Sequence, residues 1–425
     1  MHWTDKDWRR HSQHFEPFVS ALAAELGRSE RRVAATRYLE GLLLEGQRKS
    51  IEPMAARLGV EAQGLQQFVA DSPWEAQTLW SAIRREVLPS FEPIESWIVD
   101  ETGWLKQGQH SVGVSHQYCG AVGKQANCQV SVELVLSEGS FGLPVAGRLY
   151  LPERWARDPE RRRRAGVPAE VEFKTKPQLA LELIDEARAE AVAPAPVLAD
   201  SHYGDSAPFR RGLRERGCEF FVQVTPSEHK AWTKEVRTIK KRTRRAVAPE
   251  EPPAQTLLEI ARAWAGPRWR DCRWKARDGS TRCTRLGWQE VWLGHELKRA
   301  QGQLEKLWLV ADWPAGASEP YHCFLAWLER EPSCARCLRL SRSRWQVEQY
   351  FQRAKDDLGF DHYEGRSWRG FHHHLVLSAV AYLFVAAMLT RTKKNFWPDV
   401  GSGAGGDAAV ADEVMRLLSL LPTQI

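Results

Sequence analysis

The stretch Arg344-Trp-Gln-Val-Glu348-Gln-Tyr-Phe-Gln-Arg-Ala-Lys355 sets one acid between two bases at helical spacing. At about 3.6 residues per turn, Arg344 lies one turn before Glu348 and Lys355 two turns after it, so the three share one helix face. Val347, Tyr350, Phe351, Ala354 and Leu358 recur at the spacing of a second, apolar face, which predicts burial on that side. A carboxylate flanked by two cations suits a metal ion facing a polyanion. Taken alone, the same pattern also describes a surface helix with paired charges.

Two further acids each end an apolar run, Trp97-Ile-Val-Asp100 and Val197-Leu-Ala-Asp200, and an acid just past a buried strand is held rigidly at a sheet edge. Asp100, then Asp200 followed by Ser-His-Tyr203, then Arg344-x3-Glu348-x6-Lys355 resembles the DDE transposases of bacterial insertion sequences. Within them it is similar to the group with a Y-x2-R-x3-E-x6-K signature around the third acid; Ser341 stands where that signature has tyrosine. The resemblance runs from roughly Ser90 to Thr390 and rests on three motifs in the right order. It implies an α/β fold: a ribonuclease-H-like mixed sheet flanked by helices, interrupted by a β-rich insertion, with an N-terminal all-helical domain.

The chain has 425 residues, enough for about two to four domains, and 43% of them are hydrophobic, enough to fill real cores. Lys and Arg number 60 against 54 Asp and Glu, a net +6. So modest an excess favours a polyanionic partner only where it is clustered, as in Arg161 to Arg164 and Lys240-Lys-Arg-Thr-Arg-Arg245. Either run also reads as a solvated loop. Eight scattered cysteines lack a secreted disulfide framework and point to a reducing cytosol. Cys334-x2-Cys337 lacks the second pair that zinc would want, with only His322 and Cys323 near, so these read as ordinary thiols. No signal peptide is visible, and the apolar run Leu375 to Leu389 falls short of the roughly 20 residues that span a bilayer, which predicts a buried helix.

Residues 1–90 show helical periodicity, as in Phe15, Phe18, Val19, Leu22 and Leu26. Ile51 to Gly59 followed by Glu61 to Ala70 has a helix-turn-helix outline, with Gln63, Gln66 and Gln67 as base readers; a packing-only helical pair fits equally well. Residues 91–217 alternate as strands (Trp97 to Asp100, Val112 to Tyr118, Gln129 to Leu136), followed by an amphipathic helix, Pro177 to Ala191. They form the first part of the core. Residues 218–318 begin with a strand, Cys218 to Val224, then break that pattern. They predict a β-rich insertion beside the main sheet, its tryptophans, such as Trp264, Trp269 and Trp288, forming its own core. Residues 319–392 return to the core with the third acid. His372, His373 and His374 are expected at the solvent-facing start of the last long helix. Residues 393–425 form a tail with a Gly-rich joint and a short helix, Ala408 to Leu421. No glycine-rich nucleotide loop appears, so no nucleotide cofactor is expected.

Three carboxylates from two strand ends and one helix make a hard oxygen site, suited to Mg²⁺, with Mn²⁺ as substitute, rather than zinc. By the resemblance, Asp100, Asp200 and Glu348 would hold two ions about 4 Å apart across a scissile phosphate. Asp100 would be the shared ligand. Arg344, Lys355, Ser341 and Tyr203 would face DNA. Glu101 points to the opposite strand face and is left out. The resemblance further implies binding of terminal inverted repeats, strand cleavage at the element's ends and joining of the 3′-hydroxyls to target double-stranded DNA. It also implies a homodimer on paired ends, in the bacterial cytoplasm at the nucleoid and away from membranes. Two rivals stand beside it: a catalytically inactive DNA-binding descendant, disfavoured because all three acids are present, and a two-carboxylate glycosidase. Bases around Glu348 would weaken a general acid, which argues against the glycosidase.

Overall fold

A computed structural model describes residues 5–396 apart from 92, 242–243, 276–279, 295–303 and 315, so the Gly-rich joint and short C-terminal helix lie outside the described residues. Five helices open the chain: α1 (Asp5–Ala23), α2 (Ser29–Leu43), α3 (Ile51–Leu58), α4 (Ala62–Ala70) and α5 (Ala76–Ala82). Gly59 ends α3 in the left-handed conformation at φ 63, where a side chain would be strained, and so makes the turn into α4. Leu65, Phe68 and Val69 of α4 are buried, while Gln63, Gln66 and Gln67 face outward.

The sheet begins with β1 (Ser96–Leu105), β2 (Ser115–Cys119), β3 (Lys124–Ser137) and β4 (Gly142–Leu149), an antiparallel set. Two short helices, α6 (Glu153–Ala156) and α7 (Pro159–Ala165), lead to α8 (Lys176–Ala189). The start of α8 is fixed by Thr175 and Gln178 capping each other's backbone, with Pro177 in the first turn. Then follow β5 (Val197–Ala199), α9 (Ser201–Gly204), α10 (Ala207–Glu215) and β6 (Phe220–Val224). β1, β5 and β6 run parallel, the arrangement that needs helical crossovers.

The inserted segment contributes β7 (Lys230–Trp232), β8 (Thr238–Lys241), β9 (Arg244–Val247), β10 (Gln255–Thr256), α11 (Leu257–Arg262), β11 (Arg270–Lys275), β12 (Thr281–Leu293) and β13 (Lys306–Pro314). It is β-rich as expected, but it does not stand beside the main sheet. After it comes β14 (His322–Trp327), which pairs with β13 on one side and β6 on the other. The result is one twelve-stranded sheet whose main path is β10-β7-β12-β13-β14-β6-β5-β1-β3-β2. A break in strand-helix alternation along the chain is not a break in the ladder, because β13 and β14 join the segment to the core through antiparallel hydrogen bonds. β6, expected within the insertion, lies between β5 and β14 in this sheet. Trp264, Trp269 and Trp313 pack ring against ring at 5.2 Å, a core for this end of the sheet.

Three helices close the fold: α12 (Cys334–Ser343), α13 (Trp345–Leu358) and α14 (Trp368–Phe396). α13 buries Val347, Tyr350, Phe351, Ala354 and Leu358, the apolar face expected from their spacing. α13 and α14 cover one sheet face, with Tyr350 bonding Glu133 and Leu375 beside Gly147. α8 covers the other, where Arg148 pairs with Glu186. α14 is longer than the apolar run within it, and Trp368–Thr390 is long and apolar enough to cross a membrane, yet 78% of its apolar window is buried in the fold. The N-terminal helices are part of what buries it, with Phe15 against Phe384 at 5.3 Å.

His373 and His374 correct the expectation of a solvent-facing start, for both are buried. His374 takes a hydrogen bond from Tyr38 at Nδ1 (2.7 Å) and donates from Nε2 to the Phe360 carbonyl (3.0 Å). His373 stacks on Trp74 with ring centroids 3.5 Å apart, and its Nδ1 and Nε2 lie 2.9 and 2.7 Å from the Val69 and Trp74 carbonyls, to one of which the neutral ring donates. Burial pushes the His374 imidazole down to about 3 and that of His373 to about 4. Polar partners on the N-terminal helices make this burial tolerable.

Candidate active site

Strand register lines up the acids. Val99 lies opposite Ala199, and Ala199 opposite Val222, so one residue further on Asp100, Asp200 and Gln223 fall side by side. Glu133 on β3 is directly opposite Asp100. Directly opposed residues share a sheet face, so Glu133, Asp100, Asp200 and Gln223 form one row across four neighbouring chain segments. The row continues into the inserted segment. Gln223 faces Phe324, which puts His322 on the same face, and Asp312 lies directly opposite His322.

Arg344 brings the third acid to this row. It caps α13, where α12 stops and the chain restarts as a new helix. Its Nη1 lies 3.4 Å from Asp100 Oδ2, and its Nη2 pairs closely with Glu348 Oε1 one turn on. Burial raises the Asp100 carboxyl well above the usual range, and the nearby Asp200 charge raises it further; Arg344 and the Glu101 N–H oppose this. Asp200 is raised as well, by burial and then by the Glu101 charge. Burial alone would lower the Arg344 guanidinium, but Asp100, Glu348 and Asp200 together hold it above its ordinary value.

The other expected residues sit differently. Asp200 leaves the strand and caps α9, accepting the Tyr203 N–H at 3.4 Å. Tyr203 is fully buried and its hydroxyl donates to Glu101 Oε2 at 2.6 Å, so it holds the strand end rather than lining an open DNA face. Lys176 pairs with the same carboxylate. Glu101 thus lies away from Asp100, as strand alternation requires, yet its charge acts on Asp200. Leaving it out of the site therefore missed an electrostatic neighbour. Lys355 Nζ donates to the Gly103 carbonyl of β1 at 3.0 Å, and burial lowers its ammonium below the ordinary range. Ser341 donates back to the Leu338 carbonyl within α12 at 3.1 Å. Trp345, beside Arg344, is 51% exposed.

Beneath the acids is a polar network that the sequence did not reveal. Trp104 donates to Ser131 Oγ (3.1 Å), Ser131 donates to Glu133 Oε1 (2.9 Å), and Tyr350 donates to Glu133 Oε2 (2.9 Å). Burial pushes the Glu133 carboxyl up to about 7 against the pull of those two donors and of Lys355. The network ties β1, β3 and α13 together within two residues of Glu348.

Among the described residues, no three His, Cys, Asp or Glu side chains close into a ready-made metal cage. The donors nonetheless fit a hard divalent ion: they are oxygen only, and burial with mutual repulsion disfavours the aspartate charges, a penalty that a cation removes. Arg344 supplies part of that positive charge here.

The family model for the DDE superfamily endonucleases matches residues 21–282. That span takes in Asp100 and Asp200 and ends before Glu348. A probable transposase for insertion sequence element IS701 from Microchaete diplosiphon is 29% identical over 213 residues, which are 47% of this chain and 53% of that protein. The chain thus spans about half the length of this curated relative.

Proposed function

Since the chain belongs to the DDE superfamily endonucleases, we propose that it is the transposase of a bacterial insertion sequence, cutting DNA at the element's ends and joining the 3′-hydroxyls to target DNA. One observation carries this reading: Asp100, within β1, and Asp200, just past the parallel β5, lie side by side, and Arg344 links Asp100 to Glu348 on α13.

In this reading Asp100, Asp200 and Glu348 hold divalent cations, Mg²⁺ or Mn²⁺. Such a cation supplies Lewis acidity to the scissile phosphate and lowers the pKa of the attacking oxygen. The side chains fix where the phosphate lies. Arg344, now neutralising Asp100 and Glu348, turns to the DNA backbone once other positive charge meets the acids, and positions the strand without reading its sequence. Tyr203, Lys176 and Glu101 hold the strand end at Asp200, and Lys355 and Ser341 steady α12 and α13 beside it. The helical pair α3 and α4, with Gln63, Gln66 and Gln67 outward, is assigned to duplex binding. Concerted cutting of two ends calls for a homodimer on paired inverted repeats, and the work is placed in the cytoplasm at the nucleoid.

The test is strand cleavage by purified protein on DNA carrying the inverted repeats that flank its gene. Cleavage should need Mg²⁺ or Mn²⁺ and disappear in Asp100→Asn and Asp200→Asn. Cleavage unaffected by both substitutions would overturn the reading.

A further inference from the structure

The polar row does not stop at the acids. Two strands beyond Asp200, about 10 Å at the usual strand spacing, His322 lies on the same sheet face, opposite Asp312. Its Nδ1 sits 3.2 Å from Gln223 Nε2, and Gln223 is the residue next in line to Asp200. An amide N–H is a donor, so Nδ1 accepts, and the proton of the neutral ring is on Nε2. Among the described residues Nε2 carries no hydrogen bond. Asp312 is itself held by Thr284 of β12, so three strands fix the ring's surroundings. His322 is half-buried, and Tyr321 beside it is 71% exposed, so the ring lies at the edge of open surface.

We propose that His322 contacts substrate: its Nε2–H donates to a phosphate oxygen of the DNA strand that crosses the acids, about two strand spacings from Asp200. The inference rests on the DNA-cleaving reading and extends it along the sheet. Arg344 and His322 then grip one backbone at two points. A neutral imidazole donor gives a contact that is insensitive to salt, where a guanidinium gives one that salt screens.

The charged and polar groups facing the ring are Asp312 on β13, Gln223 on β6 and Arg344 at the head of α13. Burial lowers the imidazole below its ordinary range; Asp312 opposes this and Arg344 adds to it. The ring is therefore held in its neutral form at neutral pH.

The experiment measures binding of the full chain to a short fluorescein-labelled DNA duplex of arbitrary sequence, across salt at neutral pH, because a backbone contact needs no particular bases. His322→Ala should weaken binding about fivefold, the worth of one neutral hydrogen bond, with an unchanged salt slope. His322→Gln, whose amide keeps a neutral N–H donor, should restore the affinity. If His322→Ala does not fold, His322→Leu, which fills the space without a donor, decides in its place. Donor-less variants that match the wild type at every salt concentration overturn the proposal by itself. A wild type that fails to bind DNA overturns the DNA-cleaving reading with it.

Discussion

The Tyr350 hydroxyl donates to the buried Glu133 carboxyl at 2.9 Å, two residues after Glu348 on α13 and directly opposite Asp100 on the sheet. One hydrogen bond therefore sets the height of the helix that carries the third acid above the strand that carries the first. In the unfolded chain Glu133 titrates near 4.5, and in the fold near 7. Below about 4.5 it is neutral in both states and its contribution is fully present. Between those values the unfolded chain ionises while the fold keeps the proton, so stability falls as pH rises, by on the order of 3 kcal/mol once both have ionised. Glu133→Gln cannot ionise and should lack this fall. Urea unfolding of both proteins at about pH 5 and about pH 8 checks it; equal pH dependence would mean that Glu133 is ionised in the fold.

Glu348 and Arg344 should fail in different ways. On the proposed reading Glu348→Gln keeps the shape and removes the charge that would hold a cation, so strand cleavage should be lost while end-DNA binding stays within about twofold. Arg344→Ala should weaken binding and make its salt dependence shallower by about one unit. Gel shifts over a salt series, run beside a cleavage assay on the same fragment, separate the two. Cleavage persisting in Glu348→Gln would remove Glu348 from the site.

Lys355 tests whether a basic residue of the sequence signature serves the fold or the DNA. Its Nζ is bonded to the Gly103 carbonyl. Lys355→Ala should therefore cost about 1–3 kcal/mol in unfolding free energy, leaving a buried carbonyl unsatisfied, with the salt slope of DNA binding unchanged. A slope shallower by about one unit would show that the ammonium leaves β1 for a phosphate.

Gly204 lies where α9 crosses β6, and a Cβ there would come within 1.8 Å of the Gln223 carbonyl oxygen. Backbone cannot turn aside as a side chain can. Gly204→Ala should destabilise the protein by about 1–3 kcal/mol and displace Asp200, which caps the same short helix. Reduced cleavage with normal duplex binding, together with a lowered denaturation midpoint, is the expected result.

What the sequence made legible was local. Asp100 and Asp200 stood out because each ends an apolar run, and α13 because its apolar residues recur at one period. Glu133 did not stand out. In Gln129 to Leu136 the alternation sets Val130, Val132 and Leu134 on one face, which makes Gln129, Ser131 and Glu133 look solvent-facing. That face is instead covered by α13 and α14, and no period in β3 announces helices some two hundred residues away. His373 and His374 misled for the same reason, their hydrogen-bond partners lying on α2, on α4 and the turn after it, and just past α13. The union of the inserted segment with the core was equally hidden. It depends on β14 pairing with β6, and a ladder between distant segments has no signature in either strand.

The shared ladder has a mechanical consequence. From β10 to β2 the sheet is one beam, and swinging the inserted end would mean tearing the β13–β14 pairing that runs from Trp308–Ala326 to Asp312–His322. Arg344, where α12 gives way to α13, is braced too: its carbonyl accepts the Val347 N–H at 3.2 Å, and Tyr350, Lys355 and Gln346 tie α13 to Glu133, Gly103 and Gly139. An arriving duplex therefore meets acids whose spacing is held from below by the strand ladder and from above by the anchored helix.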